Sequence, residues 1–486
     1  MTDFDALVVG GGPSGLTTAA EIARTGASVL LLEKREVEPL PRSGTLLPRP
    51  LELFDARGIA DRFMRRMHEL NPHPFQTWHI WGGMYPVDWT DRDSRFGFTL
   101  FLSQHETEVL IREWAAELGA DLRFKWEVID LEQTHDHVRV AVRPLGGEAK
   151  TITAKYVVGA DGTRSVTRQK SGIDFAGFGS TFTGVVATAE MDFPWPGALK
   201  VGHNEKGWLT AFPFGRGLTR FTIVHAEGRS SKLDEPITVE EVTNYVNDIL
   251  GEKVKIPSMI GATRYNDAMR MATQFRNGRI FLVGESARVH YPASGVGMNF
   301  CIQDAFNLGW KLGAVLAGRA SEGILDTYET ERRPIARDLF ESVNAQVAIQ
   351  FNFTPRGLTL SEHFQKHFIK TPEVTAQLWK ELNGLETAYP SDAGSHPAVG
   401  YPVPDFELHL TNGSSGRLYE LLRGGEIVVL HLSGTGALSG LTSLKSSVRV
   451  IEGHPTRRPQ ILRGVTALVV RPDTYLTWDD DSARAK

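Results

Sequence analysis

Ala6-Leu7-Val8-Val9-Gly10-Gly11-Gly12-Pro13-Ser14-Gly15 carries a short apolar run through a glycine turn into a helix-forming stretch, and this passage decides the fold. Residues 6–9 read as a buried strand, 16–25 have helical periodicity, and a second apolar run, 28–32, ends on Glu33. Strand, helix and strand, with G-x-G-x-x-G at the first turn and an acid closing the second strand, form a dinucleotide-binding pattern. Gly10 permits the tight turn, Gly12 lets a diphosphate approach the backbone, and Gly15 lets the helix pack close to the strand. Pro13 and Ser14 complete the turn. The diphosphate then lies against the N–H groups and positive end of the helix. Glu33, followed by Lys34, is placed to accept hydrogen bonds from ribose hydroxyls.

At 486 residues the chain exceeds what one core covers, so two or three domains are expected. A net charge of −5, with no long block of either sign, argues against nucleic acid and anionic membranes as partners. The lone cysteine, Cys301, excludes an intramolecular disulfide and a cysteine-built metal site. His73, His79, His203, His225 and His290 lack metal-ligand spacing and read as core or surface histidines, so no metal is expected. The first residues lack a basic leader region, and no stretch approaches the roughly 20 apolar residues of a membrane helix. The expectation is a cytoplasmic protein, monomer or homodimer.

Residues 34–50 are polar and proline-punctuated and carry Arg42 and Arg49, each open to two readings: a contact to phosphate or cofactor, or a solvated surface arginine. A helix starts at 51 and stops near Gly58. Residues 75–102 are rich in Trp, Phe and Tyr and read as strands and loops, mostly core, with some rings available to line a pocket for a large flat ligand. A helix is expected over 104–118, then an antiparallel meander of strands 124–131, 138–143 and 151–154, turning at Gly146-Gly147. A buried strand at 156–159 ends on Ala160-Asp161-Gly162, with Arg164, Ser165 and Arg168 on the helix behind it. Residues 175–271 alternate in β fashion around a helix over 239–250, an α+β region able to cover a ligand.

A third buried strand, 280–283, ends on Gly284-Glu285 and leads through Pro292-Ala293-Ser294-Gly295-Val296-Gly297 into a long helix from Met298. Asn299 sits in its first turn, where free backbone N–H groups face a ligand. A further helix from about 325 is interrupted at Arg332-Arg333-Pro334. Residues 351–390 read as helical and polar, and 391–404 as a linker. Strands over 426–432 and 465–471 then belong to a small, redox-inactive α/β module.

The ordered set of Gly10 to Gly15 with Glu33, Gly159-Ala160-Asp161-Gly162, and Gly284-Glu285 through Gly297 resembles the class A flavoprotein monooxygenases over essentially the whole chain. These are FAD-dependent aromatic hydroxylases of the para-hydroxybenzoate hydroxylase fold. The sequence is most similar to the branch acting on aromatic polyketides and antibiotics such as rifampicin, which ends in a thioredoxin-like domain. The resemblance implies α/β plus α+β: a Rossmann-type FAD-binding domain (1–74, 103–174, 272–350) with an inserted antiparallel-sheet substrate-binding domain (75–102, 175–271). A helical connection (351–395) and a redox-inactive thioredoxin-like C-terminal domain (396–486) follow.

By the same resemblance Gly10, Gly12, Gly15 and Glu33 hold the ADP half of FAD, Arg42 approaches the cofactor, and Gln104 contacts the ribityl side. Asp161 and Gly162 serve FAD and NAD(P)H, Gly284 and Glu285 meet the ribityl chain, and Pro292, Gly295, Val296, Gly297, Met298 and Asn299 border the flavin ring. In that family NAD(P)H is a transient reductant, oxygen adds to give a flavin hydroperoxide, and its distal oxygen passes to an electron-rich substrate. The implied substrate is a large apolar small molecule, a polyketide-like or aromatic secondary metabolite. The cofactor does the oxygen chemistry, so no protein nucleophile is required. Arg42, Pro292 and His290 are the residues assigned to the catalytic centre, His290 as a candidate proton shuttle.

Three positions depart from the family pattern: Glu285 stands where aspartate is usual, Arg288 where histidine is common, and Val296 where glutamine is common. Glu285 either reaches the ribityl hydroxyls from a slightly displaced strand or reflects relaxed pressure for rapid flavin cycling. Some proteins of this fold keep FAD as a structural cofactor: the non-redox [4+2] cyclases that form decalin rings in polyketide biosynthesis, acting through proximity and orientation. A monooxygenase is the leading reading, such a cyclase the alternative, and a flavin sensor without turnover the third. Substrate-dependent NAD(P)H consumption separates the first from the other two.

Overall fold

The computed structural model describes residues 2–36, 43–71, 75–90, 94–432 and 448–480. The chain opens with β1 (Phe4–Val9), α1 (Pro13–Ala23) and β2 (Val29–Glu33). Every residue of β2 is buried, as a strand covered on both faces requires. Pro13 occupies the first turn of α1, where its missing N–H is not needed. Next come α2 (Pro48–Asp55) and α3 (Gln104–Glu117), the latter capped by the Ser103 hydroxyl accepting the Glu106 N–H at 3.3 Å. β3 (Lys150–Gly159), β4 (Ile280–Leu282), α4 (Gly297–Leu316) and α5 (Thr327–Gln350) complete the frame of the site.

Asp121–Phe124, β2, β1, β3 and β4 lie side by side in that order and run parallel. The chain leaves β1 toward β2 on one side and returns to β3 on the other. That reversal at β1 is the switch point at which open parallel sheets bind ligands, beyond the carboxyl ends of their strands. All three glycine-containing turns sit at that end: after β1, after β3 and after β4.

Three expectations are corrected here. The strands expected at 151–154 and 156–159 are one strand, because nothing between Lys150 and Gly159 breaks it. The first half of β3 pairs antiparallel with Val138–Pro144, and the second half pairs parallel with β1. α2 starts at Pro48 rather than at 51, with proline at its first position. α5 runs unbroken through Pro334, since Glu331, Arg332, Ile335 and Ala336 are buried on either side and packing holds the helix across the lost N–H.

A five-stranded antiparallel sheet, ordered Lys200–Asn204, Gly207–Gly215, Leu218–His225, Thr183–Ala189, Met259–Asn266, forms a second layer. One face packs Leu209, Phe221 and Ile223 against the helix Val239–Leu250. The other sends Trp208 and Val224 into a cluster with Trp81, Trp89, Tyr291 and Val296. The aromatic stretch from 75 makes its own short pairs, Trp78–Trp81 with Met84–Asp88 and Phe75–Gln76 with Thr99–Leu100. The helices Pro355–His367 and Pro372–Asn383 lead away from α5, and Ile369, Leu378 and Leu382 bury apolar side chains in a region expected to be polar.

The C-terminal sheet is six-stranded, with Ile427–His431 between Val448–Pro455 and Ala467–Val470, and has its own core around Leu408, Val428, Leu430 and Leu468. Neither reading of Arg49 holds. It is 1% exposed, and its guanidinium donates to Glu52, to the Asp473 carbonyl (2.9 Å) and to the Thr474 hydroxyl (2.7 Å), tying α2 to this last module. Among the described residues no helix is long and apolar enough to cross a membrane, and no group of three or more His, Cys, Asp or Glu is arranged to hold a metal.

Candidate cofactor site

The first turn is built as its glycines require. Gly10 has φ +110°, and a Cβ there would lie 2.3 Å from the Ala160 carbonyl oxygen; a Cβ on Gly15 would lie 1.9 Å from that of Gly10. The α1 helix is thereby drawn tight against β1 and the second turn. A Cβ on Gly12 would meet nothing closer than a Glu108 carboxylate oxygen at 4.0 Å, so its backbone is open to a ligand. Pro13 and Ser14 begin α1 and are buried, while Lys34 is exposed just past β2.

Glu33 closes β2 with its carboxylate accepting the Gly11 N–H at 2.7 Å and the Arg35 N–H at 2.8 Å. Burial raises its pKa, but these donors and the Arg35 guanidinium outweigh burial and hold it below the usual range, so it is ionised. A narrow cleft beside it is lined by Gly11, Glu33, Arg35, His105, Glu108 and Arg112.

The second and third turns close on the first. Ala160 N–H donates to Val9 at 2.8 Å, and Val283 N–H to Gly159 at 2.9 Å. Gly284 has φ +64°, and a Cβ there would lie 2.4 Å from the Ser14 hydroxyl. Arg168, buried behind the second turn, donates to the Ser286 and Thr163 carbonyls, both at 2.9 Å, and bridges the second and third turns.

Asp161 uses its carboxylate locally. It accepts the Ser165 hydroxyl at 2.5 Å and the Thr167 N–H at 2.9 Å, shaping the start of Val166–Lys170. Gly162 follows with nothing within 4 Å of a would-be Cβ. Glu285 is exposed at the end of β4.

The loop from Pro292 to Asn299 is anchored by Asn299, which is fully buried. Its side chain accepts the Leu47 N–H at 2.7 Å and donates to the Thr45 and Gly295 carbonyls. Val296 and Met298 point into core clusters, so only their backbone can face a ligand. Pro292 is exposed, and Gly295 and Gly297 are half-buried. Arg288 is buried and paired with Asp304, which also accepts from Arg332 at 2.7 Å. Cys301 packs in the same region, its thiol pushed up to about 12 by burial.

Gln104 joins the two ends. It accepts the Ser43 N–H at 3.2 Å and donates to Glu108 at 2.8 Å, the carboxylate that faces Gly12. Contacts thus tie Glu33 to Gly11, Glu108 through Gln104 to Ser43, and Thr45 to Asn299 and Gly295, with the Glu108 carboxylate facing the open backbone of Gly12. Two helix N-termini, those of α1 and α4, at the same end of the parallel sheet suit a dinucleotide. The open backbone at Gly12 and the ionised acid at Glu33 fit the ADP half of FAD.

His290 lies beside the loop: a Cβ on Gly297 would be 3.7 Å from its Cε1. Its Nδ1 donates to the Tyr291 carbonyl at 2.7 Å, leaving Nε2 bare. Burial, aided by Arg288, pushes its pKa down to about 4, so it is a neutral acceptor at physiological pH and not an acid. Arg42 lies outside the described residues. Sequence reading missed Glu108 and Thr45. Only Glu108 carried a signal, four residues after Gln104 on one helix face.

Residues 3–343 match the family described as FAD binding domain, and residues 396–486 the one described as aromatic-ring hydroxylase, C-terminal. The 12-dehydrotetracycline 5-monooxygenase/anhydrotetracycline 6-monooxygenase of Streptomyces rimosus subsp. rimosus is 33% identical over 98% of this chain and 95% of its own. The structure of OxyS, an anhydrotetracycline hydroxylase from Streptomyces rimosus, is similar with a TM-score of 0.86 at 32% identity, covering 98% of this chain and 95% of that one. A Diels–Alderase from the biosynthetic pathway of pyrroindomycins is similar with a TM-score of 0.81 at 27% identity, covering 99% and 98%.

Proposed function

The chain belongs to the FAD-dependent monooxygenases of the aromatic-ring hydroxylase family, and from that premise we propose that it hydroxylates an aromatic, polyketide-like secondary metabolite. Its cofactor is FAD, which when bound and reduced by NAD(P)H supplies the oxygen chemistry. The observation that supports the reading is the set of contacts at the carboxyl end of the sheet, Glu33 with Gly11, Gln104 with Glu108 and Ser43, and Asn299 with Thr45 and Gly295, which brings the first and third turns to one end of the fold.

In this reading Glu33 holds the adenosine ribose, and the Gly12 backbone with the start of α1 holds the diphosphate. Gln104 and Gly284 border the ribityl chain. The N-terminus of α4 faces the ring and favours negative charge there through its dipole and its free N–H groups. His290, neutral with a bare Nε2, would offer a hydrogen-bond acceptor beside the cofactor loop.

The proposed place for the substrate is beside the 43–47 loop and the second sheet. Phe101 and Phe212 cluster there, with Phe214 against Phe212, and a Cβ on Gly44 would meet Phe212 and Phe214 at 2.7 Å. Rings at that position suit a large flat apolar ligand and exclude water. The discontinuous FAD-binding domain, the middle domain, the helical connection and a thioredoxin-like C-terminal domain carry this arrangement, in a cytoplasmic protein.

The likeness to a Diels–Alderase favours a second reading, a [4+2] cyclase with FAD as structural support. One experiment separates the two: incubation with aromatic polyketides and linear polyene precursors, following NADPH oxidation and the incorporation of ¹⁸O₂ into product. Substrate-dependent NADPH loss with one labelled oxygen in the product supports hydroxylation. A product isomeric with its substrate, formed without oxygen or NADPH, replaces it with cyclisation.

A further inference from the structure

His79 lies in Trp78–Trp81, is 5% exposed, and has both ring nitrogens engaged. Nε2 is 2.6 Å from the Ser294 carbonyl oxygen, and Nδ1 is 2.9 Å from the Thr99 hydroxyl. A carbonyl only accepts, so Nε2 carries the proton, Nδ1 is the bare nitrogen, and the Thr99 hydroxyl donates to it. Packing 5.0 Å from Trp89 fixes the ring plane.

Ser294 is the residue that needs holding. It has φ +49° in the turn Ala293–Gly295 that leads into α4, a left-handed conformation that a residue with a Cβ keeps only when its surroundings enforce it. Its carbonyl is held by His79. Its hydroxyl donates at 2.6 Å to Gln346 Oε1, which also accepts the Gly82 N–H at 3.0 Å. The turn is thus pinned on one side by α5 and on the other by an aromatic hairpin remote in sequence.

We propose that His79 is a positioning residue for the cofactor loop: its Nε2–H, oriented by Thr99, fixes the left-handed turn at Ser294 and with it the N-terminus of α4. This rests on the reading that the loop borders the flavin. Burial pushes the imidazole down to about 4, so the ring keeps one donor and one acceptor across physiological pH.

The test compares full-length wild type with His79→Phe, His79→Gln and Thr99→Val. It reads FAD affinity by fluorescence quenching, the visible band of the bound flavin and its midpoint potential, with circular dichroism melting as the fold control. His79→Phe keeps the packing on Trp89 but leaves a buried carbonyl unpaired, and is expected to weaken FAD binding about ten-fold and alter the bound flavin's band. His79→Gln, whose amide reaches the same carbonyl, is expected to return to within about three-fold of wild type. Thr99→Val is expected to shift both readouts in the same direction by less.

Wild-type values in folded His79→Phe, or His79→Gln as impaired as His79→Phe, overturn the role. If His79→Phe does not fold, Thr99→Val decides: weaker FAD binding supports the proposal and unchanged binding overturns it. A wild-type chain that takes up no FAD removes the site itself. That outcome is distinct from a wild type and a His79→Phe variant that bind FAD equally well.

Discussion

Replacing Glu331 by glutamine removes the carboxylate on which three elements converge. Glu331 in α5 accepts both Arg471 nitrogens (2.7 and 2.9 Å) and, from α4, the Lys311 ammonium and the Asn307 amide at 2.6 Å each. Arg471 follows the strand Ala467–Val470, so the cluster fastens the C-terminal module to the two long helices of the cofactor domain. Burial alone would raise the Glu331 carboxyl, but the Arg471 and Lys311 cations outweigh it and hold the pKa at about 2 against an ordinary 4.5.

A folded pKa below the unfolded one contributes stability above pH 4.5 that is lost as pH falls toward 2. The gap corresponds to about 3 kcal/mol. Removing one partner of a buried pair independently suggests about 3–5 kcal/mol. Lys311, already pushed down to about 7 by burial and Arg471, can shed its proton in the variant, which favours the lower end. The assay is urea and thermal unfolding followed by tryptophan fluorescence near neutral pH, with limited proteolysis in parallel. Glu331→Gln should lower the melting temperature by about 5 °C or more, expose residues 396–486 to protease first, and close on wild type progressively below pH 4.5, converging only as pH reaches about 2. A change under about 0.5 kcal/mol, or a difference that persists unchanged into acid, refutes the reasoning.

Gly284→Ala puts a Cβ at φ +64° and 2.4 Å from the Ser14 hydroxyl, so it should cost about 2–4 kcal/mol and lose FAD on gel filtration; full retention counts against the close approach of the two turns. Glu33→Ala removes an ionised acceptor and should weaken FAD binding about ten-fold or more in a titration, with little change in melting of the flavin-free protein beyond the lost Gly11 bond. His79 holds a folded pKa of about 4, below its unfolded 6.5, so the unfolded chain takes up the proton first and stability should fall by up to about 3 kcal/mol between pH 6.5 and 4. His79→Gln should flatten that slope, and an unchanged acid limb would show that the imidazole is protonated in the fold.

The strands and turns at the carboxyl end of the parallel sheet were legible because their signals are local. A strand, a glycine turn and a helix start are contiguous in sequence, and each of the three turns follows a buried apolar run that can only be an inner strand. Their adjacency follows from the order β2, β1, β3, β4. β3 was read as two strands because its halves serve different partners, one antiparallel and one parallel, and pairing leaves no mark on composition. Pro334 misled for the opposite reason: packing around Ile335 and Ala336 overrides a local breaker. Arg49 and His79 were opaque because their partners lie hundreds of positions away, at Thr474 and Ser294. The third-turn departures are partly explained: Arg288 is neutralised by Asp304, and Val296 packs inward.

The most direct measurement is the flavin content of the purified chain, read as FAD released on denaturation per mole of protein and followed by reduction of the bound flavin with NADPH under anaerobic conditions. One FAD per chain, bleached by NADPH and restored by oxygen, is the result expected of three turns sharing one dinucleotide groove. A colourless chain that takes up no added FAD, or a bound flavin that NADPH never reduces with any substrate present, contradicts the account.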